Sequence, residues 1–468
     1  MTNNLKISYK NKSALKNLDY FSQNILLLSD MFEKYFKQNI VCHFQIQACE
    51  GFEFEIGNNF IATNILPSQY QNIYSSENNS IILRFFCNTS KRLSTKNINN
   101  FYTLLKKSAN SPLFFVTPYE NSHKEESSYV IDSKFEVRLH ISHDGLDLNI
   151  FNYNEKKDFI NSLFQQILSI FNNKSINNYN IYHENVNLSL PENKQKNNSF
   201  LDKEIIETIE KAKDFMNKGD CYLANLTSTI PLNEKTYFIS MTHFITAWLK
   251  IKSRYGIYYH DMKVGLSCFS PERFIYSHDN KMTTEPIKGT LKSNSNIPTL
   301  SDAKAIWADK KEIYEHTLVV DLMRNDLNLV CQAGSVHVYR PFYARIAGKL
   351  IQMQSSILGT LKMDKTLGDC LEAMLPAGSI SGTPKKRVCE IISQLENVKR
   401  GYYTGICGIL EENGDFDSTI LIRSVYKGER GVYCGVGAGI TTLSNAKSEY
   451  EEFLIKLNSF LHAIESPV

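Results

Sequence analysis

Apolar residues follow the helical period more strongly in the second half of this chain than in the first. Amphipathic helices are predicted at three places: 201–217, 301–323 (ending at the charged residues 324–326) and 445–464. A further helix is expected to begin at Thr383-Pro384, with threonine at the N-cap and proline in the first turn. A strand is predicted over 221–230, directly before the long helical segments.

The first half has shorter and weaker patterns. Alternating apolar residues at 130–131 and 137–141 predict strands, and apolar residues four apart predict a helix over 158–171. Residues 172–199 are rich in Asn, Ser and Lys, which is typical of a connector. We therefore divide the chain into a structural or regulatory domain, 1–199, and a catalytic domain, 200–468. Strands that neighbour one another, together with long helical excursions, favour the α+β class.

The composition is that of a globular protein: 42% of the 468 residues are hydrophobic, 22% are charged, and the net charge is +3. This balance gives no basic stripe for nucleic acid. The ten cysteines form no Cys-x-x-Cys pair, which argues against a structural zinc site and favours reduced thiols. No apolar run approaches the roughly 20 residues that span a bilayer. We therefore expect a cytoplasmic protein that binds neither nucleic acid nor membrane.

Lys288 lies between Pro286 and the pair Gly289-Thr290, shortly after a strand-like run at 273–277. Proline fixes φ and glycine allows close approach of the backbone, so a tight loop is predicted to present the amine. A lysine that its surroundings keep neutral can act as a nucleophile. The hexapeptide alone is also consistent with a solvated lysine in a turn, which is the more common case.

Two Glu-x-x-Glu pairs occur far apart in the sequence, Glu312 with Glu315 and Glu449 with Glu452, each on a predicted helix. A spacing of three places both carboxylates of a pair on one helix face. Four converging carboxylates would repel one another unless a cation bound them, and oxygen ligands suit Mg²⁺. Two solvated helix faces are the alternative, but the apolar run that follows Glu315 argues against it.

Arg423 stands in an apolar, strand-like run over 418–424, and it requires an anionic partner if it is buried. Tyr403 lies upstream on a predicted turn, and the glycine-rich run 435–439 can offer backbone N–H groups to an anion. An internal salt bridge for Arg423 and a core position for Tyr403 are the structural alternatives. With the carboxylate pairs, these groups suit a small polycarboxylate ligand held by a metal at one end and by hydrogen bonds at the other.

An ordered set of motifs in residues 200–462 resembles the chorismate-utilising enzymes, which include anthranilate, aminodeoxychorismate, isochorismate and salicylate synthases. In chain order the motifs are Gly219-Asp220-Cys221-Tyr222, Asn225-Leu226, Ser270-Pro271-Glu272, residues 286–290, Glu315-His316, residues 320–326, Pro376-Ala377-Gly378-Ser379, Gly382-x-Pro384-Lys385, residues 400–405, Ile422-Arg423, residues 437–439 and Glu449-x-x-Glu452.

The resemblance implies a large two-sheet β-sandwich wrapped by helices, with chorismate and Mg²⁺ in a central cleft. The metal-binding glutamates are expected at four positions: directly at Glu315 and Glu452, and behind them at Glu312 and Glu449. Contacts to the carboxylates of chorismate are expected from Gly289, Thr290, Tyr403, Arg423, Gly437, Ala438 and Gly439. His316 is similar to the family's active-site histidine, and Glu272 is similar to the acid that protonates the departing C4 hydroxyl.

Lys288 separates the subfamilies. Aminodeoxychorismate synthases resemble Pro-Ile-Lys-Gly-Thr here, whereas anthranilate and isochorismate synthases resemble Pro-Ile-Ala-Gly-Thr. We therefore expect amination of chorismate at C4, with Lys288 adding at C2 as the C4 hydroxyl leaves and ammonia then displacing the lysine. Leu223 stands where isochorismate-type members carry a lysine base, which argues against activation of water at C2. Leu223 also departs from the glutamine of many aminating members.

The sequence contains no glutaminase motif, so ammonia must come from solution or from a separate glutamine amidotransferase subunit, which the resemblance implies as a partner. The expected product leads toward 4-aminobenzoate and folate. Two alternatives stay open: amination at C2, as in anthranilate synthase, and a catalytically inactive chorismate-binding subunit.

Overall fold

The computed structural model describes most of the second half of the chain and the strands of the first half. The described residues are 5–10, 26, 31, 40–46, 51–54, 70–74, 81–106, 111–119, 126–142, 145–152, 162, 165–166, 198–232, 240–251, 253–260, 264–295, 298–347, 350–428 and 431–465.

The strands of the first half are β1 (Leu5–Lys10), β2 (Ile40–Ile46), β3 (Gly51–Phe54), β4 (Tyr70–Tyr74), β5 (Ile81–Thr95), β6 (Leu113–Thr117), β7 (Ser128–Ser142) and β8 (Gly145–Asn152). Those of the second half are β9 (Leu223–Pro231), β10 (Tyr255–His260), β11 (Gly265–Cys268), β12 (Arg273–His278), β13 (Lys281–Glu285), β14 (Ile287–Lys292), β15 (His337–Ala347), β16 (Leu350–Thr360), β17 (Gly382–Thr383), β18 (Ile406–Leu410), β19 (Phe416–Ile420), β20 (Ser424–Gly428) and β21 (Gly431–Ile440). The helices are α1 (Ile98–Leu105), α2 (Asn198–Asn217), α3 (Met241–Ile251), α4 (Leu300–Ala308), α5 (Lys310–Val330), α6 (Leu367–Met374), α7 (Lys385–Leu395) and α8 (Ala446–Glu465).

Antiparallel pairing arranges these strands as two sheets that share the long strand β7. One sheet has the order β17-β9-β21-β20-β11-β10-β2-β5-β7. The other runs from β7 through β6-β18-β19-β12-β13-β16-β15-β3-β4. Strand β14 pairs with β16 beside β13, and β8 and β1 extend the outer edge of β7.

Apolar clusters among the described residues show how the layers pack. Side chains of β10 and β11 in the first sheet meet side chains of β6 and β18 in the second, among them Ile257, Leu266, Phe114 and Cys407. Helices α2, α3, α7 and α8 cover the outer face of the first sheet, and α1, α5 and α6 cover the second. Burial of apolar side chains on both faces drives this layering. The α+β fold with a two-sheet sandwich wrapped by helices is therefore confirmed.

The sheets cross the domain boundary that the sequence suggests at residue 199. Strand β2 pairs with β10, β3 with β15, and β6 with β18, so each pair joins a first-half strand to a second-half strand. The division into two domains stays a prediction.

Several elements lie close to their predicted positions. Helices α2 and α8 and strand β9 begin and end within three residues of the predictions, and β7 contains both predicted strands of the first half. The helix predicted over 158–171 lies almost wholly outside the described residues. Within the described part of the chain, no helix is both long and apolar enough to cross a membrane.

Two helices replace the single helix predicted over 301–323. Helix α4 ends before Asp309, whose side chain then accepts hydrogen bonds from the backbone N–H groups of Lys311 (2.9 Å) and Glu312 (3.2 Å). An aspartate that accepts from the first turn is a favourable N-cap. Lys311 and Glu312 therefore lie in the first turn of a new helix that Asp309 caps.

Helix α5 continues through the charged residues 324–326, so the end predicted there was wrong. Arg324 pairs with Asp321 one turn earlier (3.0 Å), and Asp326 is buried against Lys385 at the start of α7 (2.6 Å). Charged residues with such partners do not have to end a helix.

The start of α7 differs by one residue from the prediction. Pro384 occupies the cap position and Lys385 is the first helical residue, because Thr383 instead pairs with Leu223 in the short ladder between β17 and β9. The cap predicted at Thr383 was therefore wrong.

Candidate active site

Lys288 lies within β14 and not in a loop, which corrects the prediction. The strand pairs with β16, but its register shifts between Ile287 and Thr290, so Lys288 and Gly289 form a bulge. Gly289 has φ of +80°, a left-handed conformation that glycine adopts without strain. A bulge re-aims the side chain that it carries, and here it directs Lys288 away from the regular ladder.

The Lys288 amine lies over Gly439 in β21. A Cβ atom at Gly439 would stand 3.1 Å from Lys288 Nζ, 3.3 Å from Leu223 Cδ1 and 3.4 Å from Glu315 Oε2. Because Gly439 has no side chain, Lys288, Leu223 and Glu315 can all approach its backbone. Four residues from separate segments of the sequence converge at this point.

Helix α5 supplies three of the predicted site residues. Glu315 and His316 are buried, and Glu312 lies close to the bulge, since a Cβ atom at Gly289 would stand 3.1 Å from Glu312 Oε2. Glu315 follows Glu312 by three residues and thus shares its helix face.

Glu315 is an ionisable group with few partners. Burial raises the pKa of Glu315 to about 7, against the opposing charges of Lys288 and Lys311. Its Oε1 atom lies 3.8 Å from Lys311 Nζ, and it accepts no hydrogen bond from the described residues. Burial likewise raises the pKa of Glu312, and the charge of Glu452 adds to this.

Helix α8 brings the second pair of glutamates. Glu449 is buried and accepts a hydrogen bond from Lys311 (2.6 Å), whereas the side chain of Glu452 is 45% exposed and pairs with Lys456 (2.7 Å). Burial opposes ionisation of Glu452, but Lys456 outweighs it and lowers the pKa. Because carboxylates of both helices influence one another's pKa, Glu312, Glu315, Glu449 and Glu452 form one group, which we call the acidic cluster.

The acidic cluster fits a hard divalent cation in its chemistry. It offers only oxygen ligands, its carboxylates repel one another, and the buried Glu315 Oε1 lacks a hydrogen-bond donor. In their present positions, no three carboxylate, imidazole or thiol groups of the described residues lie close enough to bind one ion. Magnesium needs only one or two protein carboxylates, so this spacing is compatible with it.

Glu272 is buried on the segment that leads into β12. Burial raises the pKa of Glu272 to about 7, while the nearby Ser379 hydroxyl and the charge of Lys288 oppose the rise. Its backbone is fixed because Thr419 Oγ1 donates to the Glu272 carbonyl (2.7 Å). A carboxyl with such a pKa can hold a proton near neutral pH and give it up in a reaction.

His316 is fully buried beside Phe342. Its Nε2 atom lies 2.7 Å from Ser355 Oγ, which also accepts from the Phe342 backbone N–H (2.9 Å). Burial and the charge of Lys288 lower the pKa of His316 to about 3, so the ring is neutral. Its Nδ1 atom has no hydrogen-bond partner among the described residues.

Tyr403 packs on the glycine-rich strand β21. Its ring lies directly over Gly435, where a Cβ atom would stand 1.9 Å from Tyr403 Cγ, and its Oη reaches Gly437. Beyond Cys434, β21 pairs with β9 only, within the described chain, so one edge of Gly437, Ala438 and Gly439 is open. Because N–H groups alternate between the two edges of a strand, only part of the N–H groups predicted for anion binding face this open edge.

Arg423 lies between β19 and β20 and not within a strand, which corrects the prediction. Its φ is +50°, an uncommon conformation for a residue with a side chain. Burial lowers the pKa of Arg423, as does the neighbouring charge of Arg345. No carboxylate of the described residues forms a salt bridge with Arg423, which leaves its guanidinium available for an anionic ligand.

Comparisons with known proteins agree with this geometry. Residues 77–462 match the family described as chorismate binding enzyme. The chain belongs to this family. Two solved structures share the fold: anthranilate synthase component I from Streptococcus pneumoniae (TM-score 0.61, 20% identity, 90% of this chain and 92% of that one) and the menaquinone-specific isochorismate synthase from Escherichia coli (TM-score 0.63, 16% identity, 100% and 95%).

Curated relatives carry more than one name. An uncharacterized PabA-like protein of Haemophilus influenzae is 39% identical over 248 residues, which are 52% of this chain and 71% of the relative. Aminodeoxychorismate synthase component 1 of Klebsiella aerogenes is 32% identical over 271 residues (56% and 57%). Anthranilate synthase component 1 of Acetivibrio thermocellus is 34% identical over 290 residues (60% and 57%). The chain thus spans little more than half the length of the latter two.

The sequence analysis did not predict three residues that lie near the site of this chorismate-binding enzyme. Lys311 and Lys456 both contact the acidic cluster, and Lys456 also donates to the Gly437 carbonyl (3.3 Å). Arg345 lies beside Arg423 and donates to the Pro271 carbonyl (2.8 Å). The position of Lys456, four residues after Glu452 on one helix, was a readable signal. Arg345 had none, because its strand neighbours are set by tertiary pairing.

Among the predicted substrate contacts, Thr290 is exposed to solvent. It lies on β14, opposite Gln352 of β16. No contact places it against Lys288 or the acidic cluster, and its role in ligand binding stays a prediction.

Proposed function

We propose that this chain is the synthase subunit of an aminodeoxychorismate synthase. In this proposal it aminates chorismate at C4 to give 4-amino-4-deoxychorismate, with Mg²⁺ and with ammonia from a separate glutamine amidotransferase subunit. The observation that carries the proposal is the amine of Lys288, which lies 3.1 Å from the Cβ position of Gly439 and adjoins Glu315. A relative named aminodeoxychorismate synthase component 1 gives further support.

Binding is assigned to two sets of groups, one for a carboxylate of the substrate and one for the metal. Arg423, Tyr403 and the open edge of Gly437–Gly439 would hold one carboxylate of chorismate through charge and hydrogen bonds. Glu315 and Glu452 would hold Mg²⁺, with Glu312 and Glu449 behind them. The bound ion would neutralise a substrate carboxylate and draw electron density from the ring.

The first chemical step forms a bond to the lysine. The Lys288 amine adds through its lone pair to C2, the two ring double bonds each shift by one position toward C4, and the C4–O bond breaks. Glu272 donates its proton to the leaving oxygen, which departs as water. The raised pKa of Glu272, about 7, suits this role because a protonated carboxyl is required at the start.

The second step reverses the first with a different nucleophile. Ammonia adds at C4, the two ring double bonds shift back, and the C2–N bond breaks, so that its electron pair returns to Lys288. The carboxylate of Glu272 accepts the proton that the new C4 ammonium releases. Both residues are thereby restored, and two displacements retain the configuration at C4.

The test is incubation of the chain with chorismate, Mg²⁺ and ammonium, followed by product analysis with liquid chromatography and mass spectrometry. We expect 4-amino-4-deoxychorismate as the main product, and no product without ammonium. Anthranilate as the main product would instead support amination at C2, and isochorismate or salicylate would also refute the proposal. Binding of chorismate without turnover would point to a catalytically inactive subunit.

A further inference from the structure

Lys311 bridges the two helices that carry the acidic cluster. Its Nζ atom lies 2.6 Å from Glu449 Oε1 on α8 and 3.8 Å from Glu315 Oε1 on α5. Glu315 and Glu449 have side chains that are 7% and 3% exposed, so each is shielded from water. A buried carboxylate requires a counter-ion, and the nearest cation to Glu449 is this ammonium.

Lys311 differs from its two carboxylate partners in its freedom to move. Its side chain is 36% exposed, and its flexible stem lets the ammonium reach solvent without a change in the helix. The neighbouring Lys310 is exposed, and no ion pair with a described residue holds it. Of the two adjacent lysines, only Lys311 contacts the cluster.

A divalent cation and the Lys311 ammonium compete for the same negative charge. An ion bound to Glu315 would lie within a few ångströms of an ammonium 3.8 Å from Oε1, and like charges repel strongly at that distance. The divalent cation brings two positive charges to the carboxylates, whereas the lysine brings one.

We propose that Lys311 is the resident counter-ion of Glu449 and Glu315 in the acidic cluster and that a divalent cation displaces its ammonium into solvent on binding. This inference rests on the proposed function for the presence of a metal at Glu315. In it, Lys311 keeps α5 and α8 together before the metal arrives and sets the metal affinity lower than four carboxylates alone would give.

Calorimetric titration with Mg²⁺ alone tests the competition in three full-length proteins: the wild type, Lys311→Met and Lys310→Met. Methionine keeps most of the stem and removes the charge. We expect Lys311→Met to tighten Mg²⁺ binding at least tenfold, and Lys310→Met, the matched control, to change it less than twofold. Weaker or unchanged binding by Lys311→Met would overturn the inference, since it would show that the lysine supports the metal or is independent of it.

Acetylation of the wild-type protein tests the displacement directly. Brief treatment with acetic anhydride, read by mass spectrometry, should modify Lys311 several times faster with saturating Mg²⁺ than without, while Lys310 in the same peptide map serves as the reference. Equal or slower modification of Lys311 with Mg²⁺ would contradict displacement.

The outcomes also separate this inference from the proposed function. Mg²⁺ binding by the wild type without any effect of Lys311→Met would refute the inference alone. No binding by either protein would refute the magnesium part of the proposed function and, with it, the inference.

Discussion

Lys288 and Glu272 are ionisable groups near one another, and the charge of Lys288 acts on the proton of Glu272. The charge of Lys288 opposes the burial that raises the pKa of Glu272, and it helps to keep His316 neutral. A single lysine thus affects both predicted catalytic partners. Replacing it would remove the proposed nucleophile and the positive charge that acts on Glu272 and His316.

The Lys288→Ala variant should form the C4-aminated product at least roughly 1,000-fold more slowly, because the covalent route is lost. Weak C2 chemistry is expected in its place. Initial rates with product identification measure both. Lys292→Ala, on the same strand but exposed, is the matched control and should retain wild-type rates. Unchanged C4 amination by Lys288→Ala would show that the lysine is not the nucleophile.

Loss of the Glu272 proton should slow the reaction at high pH. Because the pKa of Glu272 is raised to about 7, its protonated form is lost as pH rises through that value. We expect kcat/KM to fall above pH 7, and Glu272→Gln to lower it roughly 100- to 10,000-fold and to remove this descending limb. A pH profile from 6 to 9 for both proteins measures it. A flat profile in the wild type would exclude Glu272 as the acid.

A substitution at Gly439 tests the steric fit of the site without changing its charge. A methyl group there would meet Lys288 Nζ, Leu223 Cδ1 and Glu315 Oε2 at 3.1–3.4 Å, so these groups must move apart. We expect Gly439→Ala to reduce kcat/KM about 100-fold with a folded protein, since misplacement by about 1 Å has effects of that size. Gly414→Ala is the control for strain without crowding: its φ of +90° disfavours alanine, but no atom lies within 4 Å of the added Cβ, so it should lower stability and leave kcat/KM unchanged. Wild-type kinetics for Gly439→Ala would argue against a reaction centre here.

At the scale of elements, the bulge in β14 depends on the strand end that precedes it. Glu285, the last residue of β13, accepts from Arg254 (2.5 Å), Arg273 (2.9 Å), Gln354 (3.0 Å) and Ser356 (3.0 Å). These bonds join β12, β13 and β16 and the segment before β10, so the start of β14 has a fixed position.

Removal of this anchor should destabilise the fold. Glu285→Ala would leave two buried arginines without their shared carboxylate, and loss of one partner of a buried pair lowers the free energy of unfolding by about 3–5 kcal/mol. Urea unfolding measures the change. The control is Glu372→Ala, whose exposed pair with Lys106 should contribute little to stability. Similar effects of the two variants would show that the Glu285 network adds little.

At the scale of the whole molecule, both halves of the chain build one sandwich. The apolar layer between the sheets combines Phe114, Val116 and Ile131 of the first half with Ile257 and Cys407 of the second. Neither half buries this layer alone, and exposed core faces prevent stable folding.

A fragment of residues 200–468 should therefore not fold by itself. We expect it to be insoluble or to lack a cooperative thermal transition by circular dichroism, whereas the full chain unfolds cooperatively. A soluble fragment with a sharp transition would show that residue 199 is a true domain boundary.

The sequence by itself determined which residues can do chemistry and on which helices they lie. The spacings of Glu312, Glu315, Glu449 and Glu452 were readable because helical geometry depends on neighbours three and four residues away. The ordered motifs also identified the family before any contact was known. These features are local, and local hydrogen bonding and caps follow from adjacent residues.

Only the tertiary structure decided how those residues meet and how they ionise. The bulge at Lys288, the open edge at Gly439 and the contact of Lys311 with Glu449 arise from pairings between segments more than 60 residues apart. The prediction of a loop at Lys288 was wrong because a bulge depends on the register with the partner strand, which the local sequence does not show. The raised pKa of Glu315 follows from burial by distant elements, which no local pattern reports.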